Sequence, residues 1–153
     1  TTDTSGTDTD TGTDTDTDFS TFTSGTATVD TGTDATKTTT FFHSYHNEGD
    51  TDTSLGYDTN SDLAQSTAFQ IIHQGVGNGN DNCSVGFLYL FNPSSTTFVK
   101  HFMSRTNTII NSDKSCDSYI AGYGNTTSAI DAIQFKFSSG NIDAGTFKLY
   151  GVS

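Results

Sequence analysis

The chain has no tryptophan, one proline, one methionine and two cysteines in 153 residues, and only six lysines and arginines stand against eighteen acids. Each shortage narrows the choices. Cys83 and Cys116 lack metal-ligand spacing and read as free, small packing residues. A disulfide between them requires α-carbons within about 7 Å of each other. So few bases, with no basic patch, argue against a nucleic-acid partner. No run approaches the roughly 18 apolar residues of a spanning helix, so no membrane partner is expected, and no signal-peptide pattern is visible. Helix formers are scarce and Glu48 is the sole glutamate, whereas Thr, Ser and Gly dominate, which favours strands and turns. With 31% apolar residues, one modest core is expected in one domain, helped by the bulk of 12 Phe and 6 Tyr.

The charge is unevenly placed. Residues 1–62 carry a net charge of −12 and residues 63–153 carry none, so the acidity belongs to the N-terminal part. Residues 1–18 contain only Thr, Asp, Ser and Gly, and Phe19 is the first apolar anchor. Three readings stay open for this run. It is a solvated linker or edge; or a calcium site, although the closing Glu of an EF-hand-type loop does not follow; or a run in which Thr and Asp stand in for short side chains of other identity, which peptide mass spectrometry decides. The chain is accordingly divided into a Thr/Asp-rich acidic segment, 1–34, and a β-domain, 35–153.

Within the β-domain, alternation predicts short strands. Thr38–His46 is one, with Phe41, His43 and Tyr45 on one side and Phe42, Ser44 and His46 on the other. Asn47–Asp62 reads as a long polar loop, Ala68–His73 as a short strand, and Gly75–Asn82 as a loop with an Asn78-Gly79 turn signal. Val85–Phe91 is nearly continuously apolar, which suits a central strand covered on both faces. The Asn92–Ser95 turn then leads to Thr97–Arg105, where Phe98 and Phe102 share a face with Lys100, giving an antiparallel hairpin with 85–91. Tyr119–Tyr123 is a further strand. Ala129–Phe137 sets Ile133, Phe135 and Phe137 inward and Ala132, Gln134 and Lys136 outward. Thr146–Val152 closes the chain with Phe147 and Leu149 inward. Six or seven such strands predict an all-β fold, an antiparallel two-sheet β-sandwich of jelly-roll type.

Catalytic, cofactor and metal residues are not expected. His43 and His46, three apart on a strand, point to opposite faces and cannot share a metal. The sequence has no G-x-S-x-G elbow, no paired carboxylates at strand ends in its charge-balanced part, and no P-loop Lys-Ser/Thr after GVGNGN. Asn82-Cys83-Ser84 and Asn125-Thr126-Thr127 match the N-glycosylation pattern, which has meaning only in a secreted eukaryotic setting.

The runs ATKTTTFFHSYHNEG (35–49), SDLAQ (61–65), GNGND (77–81), LFNPSSTTFVKHFMSR (90–105) and AGYGNTTSAIDAIQFKFSSGNIDAGTFKLYG (121–151) carry a resemblance. Over roughly residues 35–153 the chain resembles a family of virion structural proteins from phages of marine bacteria and environmental viral sequence. The last run is the most specific. The N-terminal part departs from that pattern, since relatives place apolar, aromatic strands there. The resemblance implies a β-sandwich in a tail fibre, appendage or capsid decoration, located in the virion. It also implies assembly with copies of itself and other virion proteins, a trimer by fibre analogy, and no enzymatic residues to carry over. The alternative expectation is a carbohydrate-binding or adhesin module contacting a host surface glycan, for which Tyr57, Tyr119 and Tyr123 are the candidate ligand contacts.

Overall fold

A computed structural model describes residues 20–22, 27–30, 35–77, 79–111, 113–139, 142 and 144–152, the first two stretches as backbone only. Among these residues the structure is all-β and holds no helix. The strands are β1 (Ser20–Phe22), β2 (Ala27–Asp30), β3 (Lys37–Asn47), β4 (Thr53–Tyr57), β5 (Gln70–Ile71), β6 (Ser84–Leu90), β7 (Lys100–Ile110), β8 (Lys114–Gly124) and β9 (Gln134–Phe137). Five of them form an antiparallel sheet in the order β6-β7-β8-β3-β4, which β1 extends beside β6. A smaller group has the order β5-β2-β9. The 1–18 run lies outside the described residues.

Thr, Ser and aromatic residues at period two make the three long strands, and the register joins them into one ladder. Phe41 pairs with Ile120, and Ile120 with Ser104. In β7 every second residue from Lys100 to Thr108 is buried and every intervening one exposed. Phe41, Phe102 and Ile120 form the apolar centre of the closed face, with Ile71, Leu88 and Leu90 packed against it. A second cluster gathers Ile72 and Phe137 with Leu88, Ile133, Phe135 and Ile142. Leu88 belongs to both clusters, so the large sheet and the elements around β5 and β9 meet on this face.

Hydroxyls complete that contact. Thr106 Oγ1 donates to the Ile72 carbonyl at 2.7 Å, and Thr39 Oγ1 donates to Gln70 Oε1 at 2.6 Å. Gln70 Nε2 in turn donates to the Ser61 carbonyl at 2.9 Å. Buried polar atoms are tolerated where they are paired in this way. Lys37 and Lys100, both fully buried, flank Gly124 in register. The Lys100 ammonium donates to the carbonyls of Ser95 and Phe98 at 2.6 and 2.8 Å.

Several expectations need correction. The 47–62 loop contains β4, joined to β3 by a tight connection. There Asn47 Oδ1 accepts from the Thr51 and Asp52 N–H groups, and Asp50 sits at φ 52°. Strand β4 is exposed along most of its length, so it carries no apolar signal. Strand 85–91 is covered on one face only, because Phe87, Tyr89 and Phe91 are exposed. Phe98 is 67% exposed rather than sharing the buried face of Phe102. It sits in the turn, where Ser95 Oγ accepts from its N–H and Lys100 holds its carbonyl. Strands β7 and β8 run well past 105 and before 119, through Thr, Asn and Ser residues that period-two apolar counting passes over. The 68–73 strand shrinks to two residues. The 129–137 strand shrinks to four, with the expected faces kept. No strand forms over 146–152, where Leu149 is 93% exposed and Phe147 46%. The Asn92 turn is as expected, with Asn92 at φ 48° accepting from the Ser95 N–H at 3.1 Å. Asn78 of the Asn78-Gly79 signal lies outside the described residues.

Candidate functional site

The other face of the large sheet is open and aromatic. The ladder brings Tyr57, Phe42, Tyr119, Arg105 and Phe87 into one row across five strands. The next row holds Thr40, Ala121, Met103 and Tyr89. The third holds Thr38, Tyr123 and His101, with Phe91 bonded beside His101 through its backbone N–H. Four inter-strand steps of about 4.8 Å and two row steps of about 7 Å make this roughly 20 by 14 Å. Exposed aromatic area of that extent is uncommon on a sheet that faces only water.

The aromatics organise one another. The Phe42 and Tyr119 rings stack at 4.8 Å and 3° between planes. The Arg105 guanidinium covers the Tyr119 ring, 4.8 Å from its centroid. Arg105 is held in place by Asp117, with Nη2 donating to Oδ2 at 2.7 Å and Nε to Oδ1 at 3.1 Å. Hydrogen bonding to that carboxylate pushes the Arg105 pKa further up, and hydrogen bonding to Asp117 also raises the Tyr119 hydroxyl. Both groups therefore keep their protons across the ordinary pH range. Along β6, Phe87, Tyr89 and Phe91 form a file with centroids 5.2 and 6.3 Å apart. Between the stack and the file the small side chain of Ala121 leaves a shallow depression of about 510 Å³, walled by Phe91, His101, Met103 and Tyr123 with Thr38 and Thr40.

The three tyrosines singled out from the sequence all fall on this face, but not as one cluster. Tyr57 and Tyr119 flank Phe42 in the same row. Tyr123 lies two residues along β8 from Ala121, on the wall of the depression. They sit on strands rather than loops. The hydroxyl of Tyr57 is already engaged, donating to Asp62 Oδ2 at 2.6 Å. Phe42, Phe87, Tyr89, Phe91, Met103 and Arg105 belong to the same surface and were missed as surface residues. Their signal is the period-two file 87, 89, 91, which reads equally as core until the covering layer is known.

The face offers π surfaces, hydroxyls and one fixed guanidinium, a set suited to stacking and packing. On the closed face His43 and Ser118 are cross-strand partners whose Nδ1 and Oγ atoms are buried without hydrogen-bond partners. The nearby Asp58 carboxylate is occupied by Asn60, Ser61 and Gln74. A Ser–His hydrogen bond of the kind nucleophilic catalysis uses is thus not made there. Both cysteines are free, and burial pushes the Cys116 thiol up. Among the described residues no group of three or more His, Cys, Asp or Glu side chains is placed to hold a metal ion, and no helix is long and apolar enough to cross a membrane.

Comparison with protein-family models, with curated proteins and with solved structures finds no match to this chain.

Proposed function

We propose that the chain is a structural module of a phage virion, a tail-fibre, appendage or capsid-decoration domain. In this reading its two sheets pack as a jelly-roll-like β-sandwich and its aromatic face is buried against copies of itself or other virion proteins. One observation carries the reading: Phe87, Tyr89, Phe91 and Met103 are 42 to 55% exposed on one continuous sheet face. A single chain gains nothing from holding such rings in water, whereas an interface core is enriched in aromatic residues and Met, with Arg alongside. A cyclic assembly is the default for identical copies, and a trimer fits the fibre analogy. The test is to purify particles, identify the chain by mass spectrometry and locate it by imaging. The reading requires the chain in stoichiometric amounts at a defined appendage or shell position. Its absence from purified particles contradicts it.

The depression floored by Ala121 favours a second reading, a carbohydrate-binding module contacting host surface glycan. Phe91 and Tyr123 would stack on the apolar face of a sugar ring, and Thr38, Thr40 and His101 would meet its hydroxyls. Its test is a glycan array probed with the isolated monomer. Binding lost in Tyr123→Ala and kept in Tyr57→Ala supports this subsite, and no binding across the array contradicts it.

A further inference from the structure

The open face carries a ridge and a hollow at matching positions. The ridge is the file Phe87, Tyr89 and Phe91 along β6. Tyr89, at its middle, is 55% exposed. The hollow is the depression of about 510 Å³ over Ala121 of β8. Tyr89 and Ala121 share one row, with Met103 of β7 between them. Two inter-strand steps, about 9.6 Å, therefore separate knob from hole, and β7 runs midway.

We propose that two copies pack these faces against each other about a two-fold axis along β7, with Tyr89 of each copy seated over Ala121 of the other. Such an axis, lying between the two sheets, places β6 of one copy over β8 of the second and keeps the rows in line. Phe87 and Phe91 then lie over the second copy's Tyr119 and Tyr123, while Met103 and His101 meet their own counterparts. Arg105 also falls on the axis, where Asp117 already neutralises it through a 2.7 Å ion pair. An axis across the strands instead sets Tyr89 on Tyr89 and leaves both hollows empty. The contact is isologous and closes at two copies, so a three-fold arrangement would have to use another surface. Sheets laid face to face with interdigitating side chains are also how sandwich cores form.

Charge and area favour a second copy as the occupant. The chain carries a net charge of −12, which holds copies apart elsewhere on the surface. On the open face of β6, β7 and β8 the charged side chains are Arg105 and Asp117, paired with each other. Two such faces meet without net repulsion. Phe87, Tyr89, Phe91 and Met103 are 42 to 55% exposed. At about 100 Å² each, with His101, Arg105 and the β8 tyrosines beside them, roughly 600–800 Å² per copy is available, the size of a specific interface. The inference rests on the assembly reading above and names the occupant of its aromatic face.

A swap of knob and hole in the full chain tests it, read by sedimentation and native mass spectrometry. Wild type is expected to be a concentration-dependent dimer. Tyr89→Ala removes the knob and Ala121→Phe fills the hollow, and each should weaken pairing about tenfold or more. The double variant moves the ring from one sheet to the other and should restore pairing to within about threefold of wild type. In a Cys83→Ser background, Met103→Cys should be joined copy to copy by a short bismaleimide, and Leu55→Cys on the far strand should not. Should Ala121→Phe lose its β-sheet circular dichroism, Tyr89→Ala and the Met103→Cys cross-link decide. A monomeric wild type, pairing unchanged in Ala121→Phe, or a folded double variant that stays monomeric overturns the two-fold contact. A monomeric wild type that binds glycan through the hollow assigns the depression to the sugar instead. A chain that is monomeric alone yet present in particles with this face protected overturns the pairing and leaves the assembly reading standing; a dimer absent from particles does the reverse.

Discussion

The two faces of the large sheet invert the usual arrangement. The closed face holds Ser84, Ser104, Thr106, Thr108, Ser118 and Thr39, all buried, around a small Phe41–Phe102–Ile120 centre. The open face holds most of the large rings: Phe42, Tyr57, Phe87, Tyr89 and Phe91. The closed face works because its hydroxyls, Ser118 excepted, are paired with carbonyls and with one another, as Ser84 and Thr108 are at 2.8 Å. Small residues also let neighbouring strands and loops come close. At Gly122 a β-carbon would lie 2.5 Å from Thr39 Cγ2 and 2.7 Å from the Thr38 carbonyl. A face built this way holds the fold without large apolar volume, and most of the large rings of the sheet stand on the open face.

Neighbouring residues on opposite faces give the sharpest way to break this comparison. Phe41→Ala should cost about 3–5 kcal/mol of unfolding free energy, because it empties the buried centre. Measured by urea unfolding, a loss near zero would remove the claim that this face is the core. Gly122→Ala should cost about 1–3 kcal/mol, since the added carbon meets backbone that cannot give. Thr106→Val keeps the shape but orphans the Ile72 carbonyl, and about 1–2 kcal/mol is expected; a neutral result would show that the hydroxyl network is not needed. On the open face Phe42→Ala should cost about 1 kcal/mol or less in the isolated chain. Its effect should appear in assembly or ligand binding instead.

The closed face also sets the acid response. Burial lowers the His73 imidazole below its ordinary value. As pH falls through the ordinary histidine range near about 6.5, the unfolded chain takes up a proton that the folded chain resists, so stability drops there and is fully present above it. Burial alone would raise the Asp58 carboxyl, but hydrogen bonds from Asn60, Ser61 and Gln74 hold it below the usual range. Its contribution is therefore present above ordinary carboxylate pKa values and disappears in stronger acid. Urea midpoints between pH 7.5 and 5 should fall in wild type and flatten in His73→Gln. An unchanged slope in that variant would assign the acid response elsewhere.

The sequence was legible where apolar residues alternate and a turn residue punctuates. The 38–46 strand, the hairpin around Asn92-Pro93 and the sidedness of Ile133, Phe135 and Phe137 all follow from period two. It was not legible where Thr and Ser occupy buried positions, so the outer halves of β7 and β8 passed as polar linkers, nor over β4, whose residues are mostly exposed. The aromatic run at 85–91 was readable as a strand but not as half-exposed, because exposure depends on whether a second layer covers that face. Tyr57, Tyr119 and Tyr123 marked the right surface through residue type alone. Only the register shows that Phe42 and Arg105 complete the stack around Tyr119.

Hydroxyl-radical footprinting of the assembled particle against the isolated chain tests the open face most directly. Protection of Phe87, Tyr89, Phe91 and Met103 on assembly is expected, with Phe98 in its turn labelled equally in both. Equal labelling of the four face residues in both states would contradict the account.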